Sequence, residues 1–94
     1  MAQIILTPHQ IRIEGHAANK IACAMGSALT VGLLKNCMER YNFEPNFKLI
    51  CGFSSIDTDN FVGEPKILLD AYRYSLCSLA EDYPDSYQVV HQDS

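Results

Sequence analysis

The sequence predicts an α+β fold: one sheet of four to five strands with two helices packed on one face, in the order β-β-α-β-β-α-β. Three observations carry this. Short stretches such as Gln10-Ile11-Arg12-Ile13-Glu14 alternate apolar and polar residues, as strands with one buried face do. Two longer stretches instead repeat their apolar residues at helical spacing. Alternation rather than continuous apolar runs means that the sheet is covered on a single side. A chain of 94 residues has room for one modest core, so positions 1–94 are read as a single domain.

Gln3 to Leu6 and Gln10 to Glu14 are the first two strands, joined through Thr7-Pro8-His9. Pro8 presets its own φ for a turn, so an antiparallel hairpin follows, with His9 exposed in the turn. Gly15 ends the alternation and leaves His16 at a strand end, on a rigid element yet open to solvent. Asn19 is an N-cap residue for the first helix, which should run to about Asn42 because Pro45 lies just beyond. Ile21, Ala24, Ala28, Val31 and Met38 are expected to face the sheet. Gly26 among Ala22, Ala24 and Ala28 makes the helix start slim, which fits close approach by neighbouring backbone or by a substrate chain.

Phe47 to Cys51 alternates as a third strand, closed by Gly52, and Phe53 to Val62 is its hairpin partner. The Asp57-Thr58-Asp59-Asn60 cluster lacks the glycine and terminal glutamate of a calcium loop and reads as a solvated turn. Pro65 suits the first turn of a second helix over 64–82, with the stripe Leu68, Tyr72, Leu76, Leu79 and Tyr83 facing the core. Pro84 stops that helix. Tyr87 to Val90 is a last strand, with His91 in a fraying tail.

Composition excludes several classes of function. The 48% hydrophobic and 19% charged residues belong to a globular chain, not a disordered one. No window is expected to be long and apolar enough to cross a bilayer, and Met1 to Leu6 has neither a basic nor a long apolar region of a leader, so a cytoplasmic location is expected. Cys23, Cys37, Cys51 and Cys77 form no C-x-x-C pair, so neither zinc nor any other metal or cofactor is expected; the thiols are reduced, three of them small core residues. Residues 1–50 carry five basic and three acidic side chains, 5 − 3 = +2, and residues 51–94 carry two and eight, 2 − 8 = −6. No basic stripe serves nucleic acid, and the acidic half is a solvated surface before it is a dock for a basic partner.

One stretch concentrates chemistry. His16 is a general base near neutral pH, and Cys23 follows in the first turn of a helix, whose positive end favours a thiolate. Ser27 lies one turn beyond Cys23. A buried thiol on a small-residue helix is also ordinary packing, so spacing alone leaves both readings open.

Gly15-His16-Ala17 ahead of Cys23-Ala24-x-x-Ser27-Ala28-Leu29, with Leu79-x-x-x-Tyr83-Pro84 before a final strand, resembles the ribosomal-processing cysteine protease family (Prp, YsxB-like). The resemblance implies a cysteine endopeptidase with Cys23 as nucleophile and His16 as base. Ser27 would support the dyad or position substrate. It further implies a homodimer that trims the N-terminal extension of a large-subunit ribosomal protein, or a phage structural protein, after an aromatic residue. Two departures stand out. The loop from Ala17 to Ala22 is shorter than the family's, and Lys20 replaces an aspartate three residues before the cysteine. A non-catalytic relative serving as a binding or assembly module is the alternative.

Overall fold

The computed structural model describes residues 1–93. β1 (Ala2–Leu6) and β2 (Gln10–Glu14) form the expected antiparallel hairpin, with Ile4 opposite Ile13 and Leu6 opposite Ile11. α1 (Lys20–Lys35) continues into a π-helical turn, Asn36–Arg40. β3 (Phe47–Ile50) and β4 (Phe53–Asp57) form a second hairpin, α2 (Glu64–Asp82) follows, and β5 (Tyr87–His91) closes the order. The five strands make one mixed sheet ordered β3-β4-β2-β1-β5, in which β5 runs parallel to β1. The α+β class and the β-β-α-β-β-α-β order are those expected.

Register explains why one face is covered. The pairs Ala2–Tyr87, Ile4–Ile13, Leu6–Ile11 and Ile11–Ile56 bring apolar residues of four strands to the same side. They form one core with Ala22, Leu33 and Leu34 of α1 and Leu69, Tyr72, Leu76 and Leu79 of α2. The opposite side carries Gln10, Arg12 and Glu14, where Arg12 bonds both neighbours (Nε to Glu14 at 3.0 Å, Nη1 to Gln10 at 3.2 Å). Period-2 alternation in β2 thus separates core from solvent.

α2 covers the expected span and buries Tyr72, Leu76 and Leu79 of the expected stripe, while Leu68 and Tyr83 pack partly buried at the core's edge. α1 buries a different face from the one expected. Ala22, Gly26, Thr30, Leu33 and Leu34 point inward, whereas Ile21, Met25 and Val31 are exposed, Ile21 to 64%. The reason is steric. Two tyrosines already fill the space beneath the helix: the Tyr72 hydroxyl lies 2.8 Å from the Thr30 hydroxyl, and the Tyr87 hydroxyl donates to the Ala22 carbonyl at 3.0 Å. Only slim residues fit above them.

Other expectations are corrected in the same way. Among the cysteines only Cys37 is fully buried; Cys51 is exposed and Cys23 and Cys77 are half-buried. Burial pushes the Cys37 thiol up from its ordinary value. His91 is no frayed tail: it ends β5 in register with Leu6, and the Gln92 N–H donates to the Leu6 carbonyl at 2.9 Å. The helix over Lys20–Arg40 is, contrary to expectation, long and apolar enough to cross a membrane by length and composition, with mean hydropathy 1.4. Here its slim face joins the core through Ala22, Leu33, Leu34 and Cys37, with 33% of the span buried. Asn42 does close this helix, at φ 51, with the Phe43 N–H donating to the Cys37 carbonyl at 2.9 Å. His9 is exposed in its turn, paired with Asp59 at 3.0 Å.

Candidate active site

A cavity of about 290 Å³ opens at one end of the sheet, between the first turns of α1 and the β3–β4 turn. Its floor is set by register: Ile13 opposes Ser54, and Ser54 opposes Leu49, all on the face that carries the helices. α1 supplies one wall through Cys23, Gly26, Ser27 and Thr30. Gly15-His16-Ala17 and Cys51-Gly52 supply the others. The three residues singled out from the sequence, His16, Cys23 and Ser27, therefore line one cavity.

The start of α1 is held from three directions. The Asn19 side chain accepts from the Ile21 and Ala22 N–H groups at 2.8 and 3.1 Å, as an N-cap residue does. The Asn19 N–H in turn donates to the Ser86 hydroxyl at 3.2 Å. Tyr87 reaches the Ala22 carbonyl from below, and its own hydroxyl is pushed up by burial first and by the neighbouring Cys23 second. Cys23 thus sits half-buried on a fixed turn, its own N–H donating to the Asn19 carbonyl at 2.9 Å.

This capping changes one expectation. The positive end of the helix is expected to favour a thiolate at Cys23, yet the Ile21, Ala22 and Cys23 N–H groups are all engaged by Asn19. What reaches the sulfur is the positive end of the helix dipole rather than a set of free donors.

His16 is exposed, and its hydrogen-bond contact is with a different sulfur. Its Nε2 lies 3.9 Å from the Cys51 Sγ. Among the described residues no hydrogen bond joins His16 to Cys23. The ring rests on the β3–β4 turn because Gly52, at φ +76, has no side chain: a Cβ there would come within 2.9 Å of Nε2. The Gly15 N–H donates to the Gly52 carbonyl at 2.8 Å and ties the two turns together.

Cys51, Tyr87, Thr30 and Ser86 are the site residues that sequence reasoning passed over. The signal for Cys51 is the pairing of β2 with β4. Once Glu14 opposes Phe53, the residues just after the one and just before the other must meet, which brings His16 to Cys51-Gly52. No cluster of three or more His, Cys, Asp or Glu suited to a metal ion occurs among the described residues.

No protein-family model matches the chain. A search of the curated proteins gives no match either. Solved structures do match. The essential ribosomal processing protease Prp from Staphylococcus aureus, with a covalently linked product peptide, superposes with a TM-score of 0.84 at 21% identity, covering 98% of this chain and 100% of that one. The same protease with a substrate peptide gives 0.84 at 19% identity, again covering 98% and 100%. A protein from Streptococcus mutans gives 0.77 at 18% identity, covering 99% and 93%. The chain therefore has, over nearly its whole length, the fold of the Prp ribosomal processing protease.

Proposed function

We propose that this chain is a cysteine endopeptidase of the Prp type, with Cys23 as nucleophile and His16 as general base. The observation that carries the reading is the single cavity that His16, Cys23 and Ser27 line, in a fold whose Staphylococcus aureus counterpart was solved with a substrate peptide and with a covalently linked product peptide. In the reaction His16 takes the Cys23 proton, and the thiolate attacks the scissile carbonyl to form an acyl-enzyme. The imidazolium gives its proton to the leaving amine, and water then releases the acyl group. Ser27, one turn beyond Cys23 on the cavity wall, positions the dyad or the peptide. The substrate is a peptide segment, by resemblance the N-terminal extension of a ribosomal protein or a phage structural protein. The same resemblance supports a cytoplasmic homodimer.

The test is cleavage of a ribosomal-protein N-terminal peptide carrying an aromatic pair, followed by mass spectrometry. The wild-type chain should cut it after an aromatic residue, and Cys23→Ala should lower the rate at least about a thousandfold. His16→Ala should also slow iodoacetamide alkylation of Cys23 about tenfold. Cleavage that survives Cys23→Ala but is lost in Cys51→Ala would move the nucleophile to the other sulfur and overturn this assignment. Alkylation of Cys23 no faster than of Cys77 would favour the non-catalytic alternative.

A further inference from the structure

The cavity holds two thiols and one imidazole, and the imidazole rests against the thiol that the protease reading does not use. Three features build that contact. Cys51 is exposed on the β3–β4 turn with its Sγ 3.9 Å from His16 Nε2; Gly52 has no Cβ to obstruct the ring; and the Gly15–Gly52 backbone bond joins the two segments. A thiol is inert until deprotonated, and an adjacent imidazole is the group that accepts its proton. Cys51 also lines the cavity that Cys23 lines, so a group attached to its sulfur would occupy space in front of Cys23.

We propose that Cys51 is a covalent modification site: His16 activates it toward low-molecular-weight disulfides of the glutathione class, and the mixed disulfide so formed closes the cavity over Cys23. His16 accepts the Cys51 proton, and the thiolate attacks one sulfur of the small disulfide. One Cys51–S bond forms as the small molecule's S–S bond breaks. Its second half leaves as a thiolate and takes the proton from His16. The disulfide is the oxidant, and a free low-molecular-weight thiol reverses the step. The modification stands apart from the protease reading, whereas its effect on peptide cleavage rests on it.

Two arms test this. In the first, Cys23→Ala protein is incubated with glutathione disulfide and the adducts are mapped by peptide mass spectrometry. Cys51 should carry the adduct, and adding His16→Gln should slow its formation about tenfold while the Cys77 rate, which reports an intact fold, stays the same. A Cys51 rate that His16→Gln changes by less than about twofold, or an adduct that forms as fast on Cys77, would overturn the proposal. In the second arm, wild-type protein carrying one adduct, at Cys51 only, is isolated. Iodoacetamide should label its Cys23 about tenfold more slowly than in unmodified protein, and an unchanged rate would refute closure of the cavity. The first arm is blind to proteolysis. Adduct formation that depends on His16, beside a failed cleavage assay, would sink the protease reading alone.

Discussion

Gly26→Ala isolates the packing that seats the Cys23 turn. In an exposed helix interior this change stabilises by about 1 kcal/mol through backbone entropy. Gly32 is half-buried but has the same room, because a Cβ there would touch nothing within 4 Å. At Gly26 a Cβ would fall well inside contact distance of the Tyr87 hydroxyl. That hydroxyl is buried and bonded to the Ala22 carbonyl, so it must move and give up its partner. Overpacking costs about 1–3 kcal/mol and the lost hydrogen bond about 1, against the gain of about 1. The net is a destabilisation of about 1–3 kcal/mol. For a domain of this size, 2 kcal/mol corresponds to a fall in Tm of about 10 °C. Tyr87→Phe removes the obstructing oxygen and leaves the ring carbon at 3.4 Å and Leu79 at 3.7 Å, both tolerable contacts. In that background Gly26→Ala should become neutral or stabilising by up to about 1 kcal/mol, a coupling of about 1–4 kcal/mol in a double-mutant cycle. Urea unfolding of the four proteins, with Gly32→Ala as the control, measures this. A Gly26→Ala protein as stable as wild type with Tyr87 intact would refute the packing argument, as would a destabilisation that Tyr87→Phe does not relieve.

Further outcomes are expected from neighbouring features. Asn19→Ala leaves the Ile21 and Ala22 N–H groups without their cap and should cost about 1 kcal/mol in urea unfolding, with Asn19→Ser restoring most of it. Tyr72 is pushed up to about 12, chiefly by burial and against the hydrogen bond with Thr30, so its phenol is neutral in the folded chain where the unfolded chain would begin to ionise it. Its contribution is therefore complete below pH ~10 and is lost as pH rises toward about 12. By pH ~11 the wild type should have lost about 1 kcal/mol more than Tyr72→Phe, relative to each protein at pH ~8. Parallel stability curves for the two would contradict the assignment. In Tyr72→Phe, Thr30 keeps its bond to the Gly26 carbonyl at 3.0 Å, so no buried hydroxyl is left unpaired.

Local chemistry was enough to read most of the elements. Alternation in Gln10–Glu14, the Asn19 cap, Pro65 in the first turn of α2 and the glycine at position 52 each act within a few residues, and the elements they mark lie close to where they are expected, whereas β4 ends at Asp57 and not at Val62. Covering one face of the sheet followed from the same alternation. The face of α1 was not readable, because two helical stripes compete along it. The larger side chains, Ile21 and Val31, would have been chosen on hydrophobicity. The choice fell to Tyr72 and Tyr87, which come from 42 and 65 residues away and leave room for glycine, alanine and threonine only.

The candidate site divides along the same line. That an imidazole, a thiol and a hydroxyl, those of His16, Cys23 and Ser27, lie close along the chain is a property of the sequence, since strand end, short loop and helix start follow one another within 12 residues. Which sulfur the imidazole meets is a property of strand pairing. β2 lies against β4, so the residue after Gly15 arrives beside the turn before Phe53, and Cys51 becomes its neighbour across 35 residues of chain. Spacing in sequence can suggest partners within one or two turns. Contacts made across a sheet end depend on register, and register is decided only when the apolar faces of all the strands are buried together.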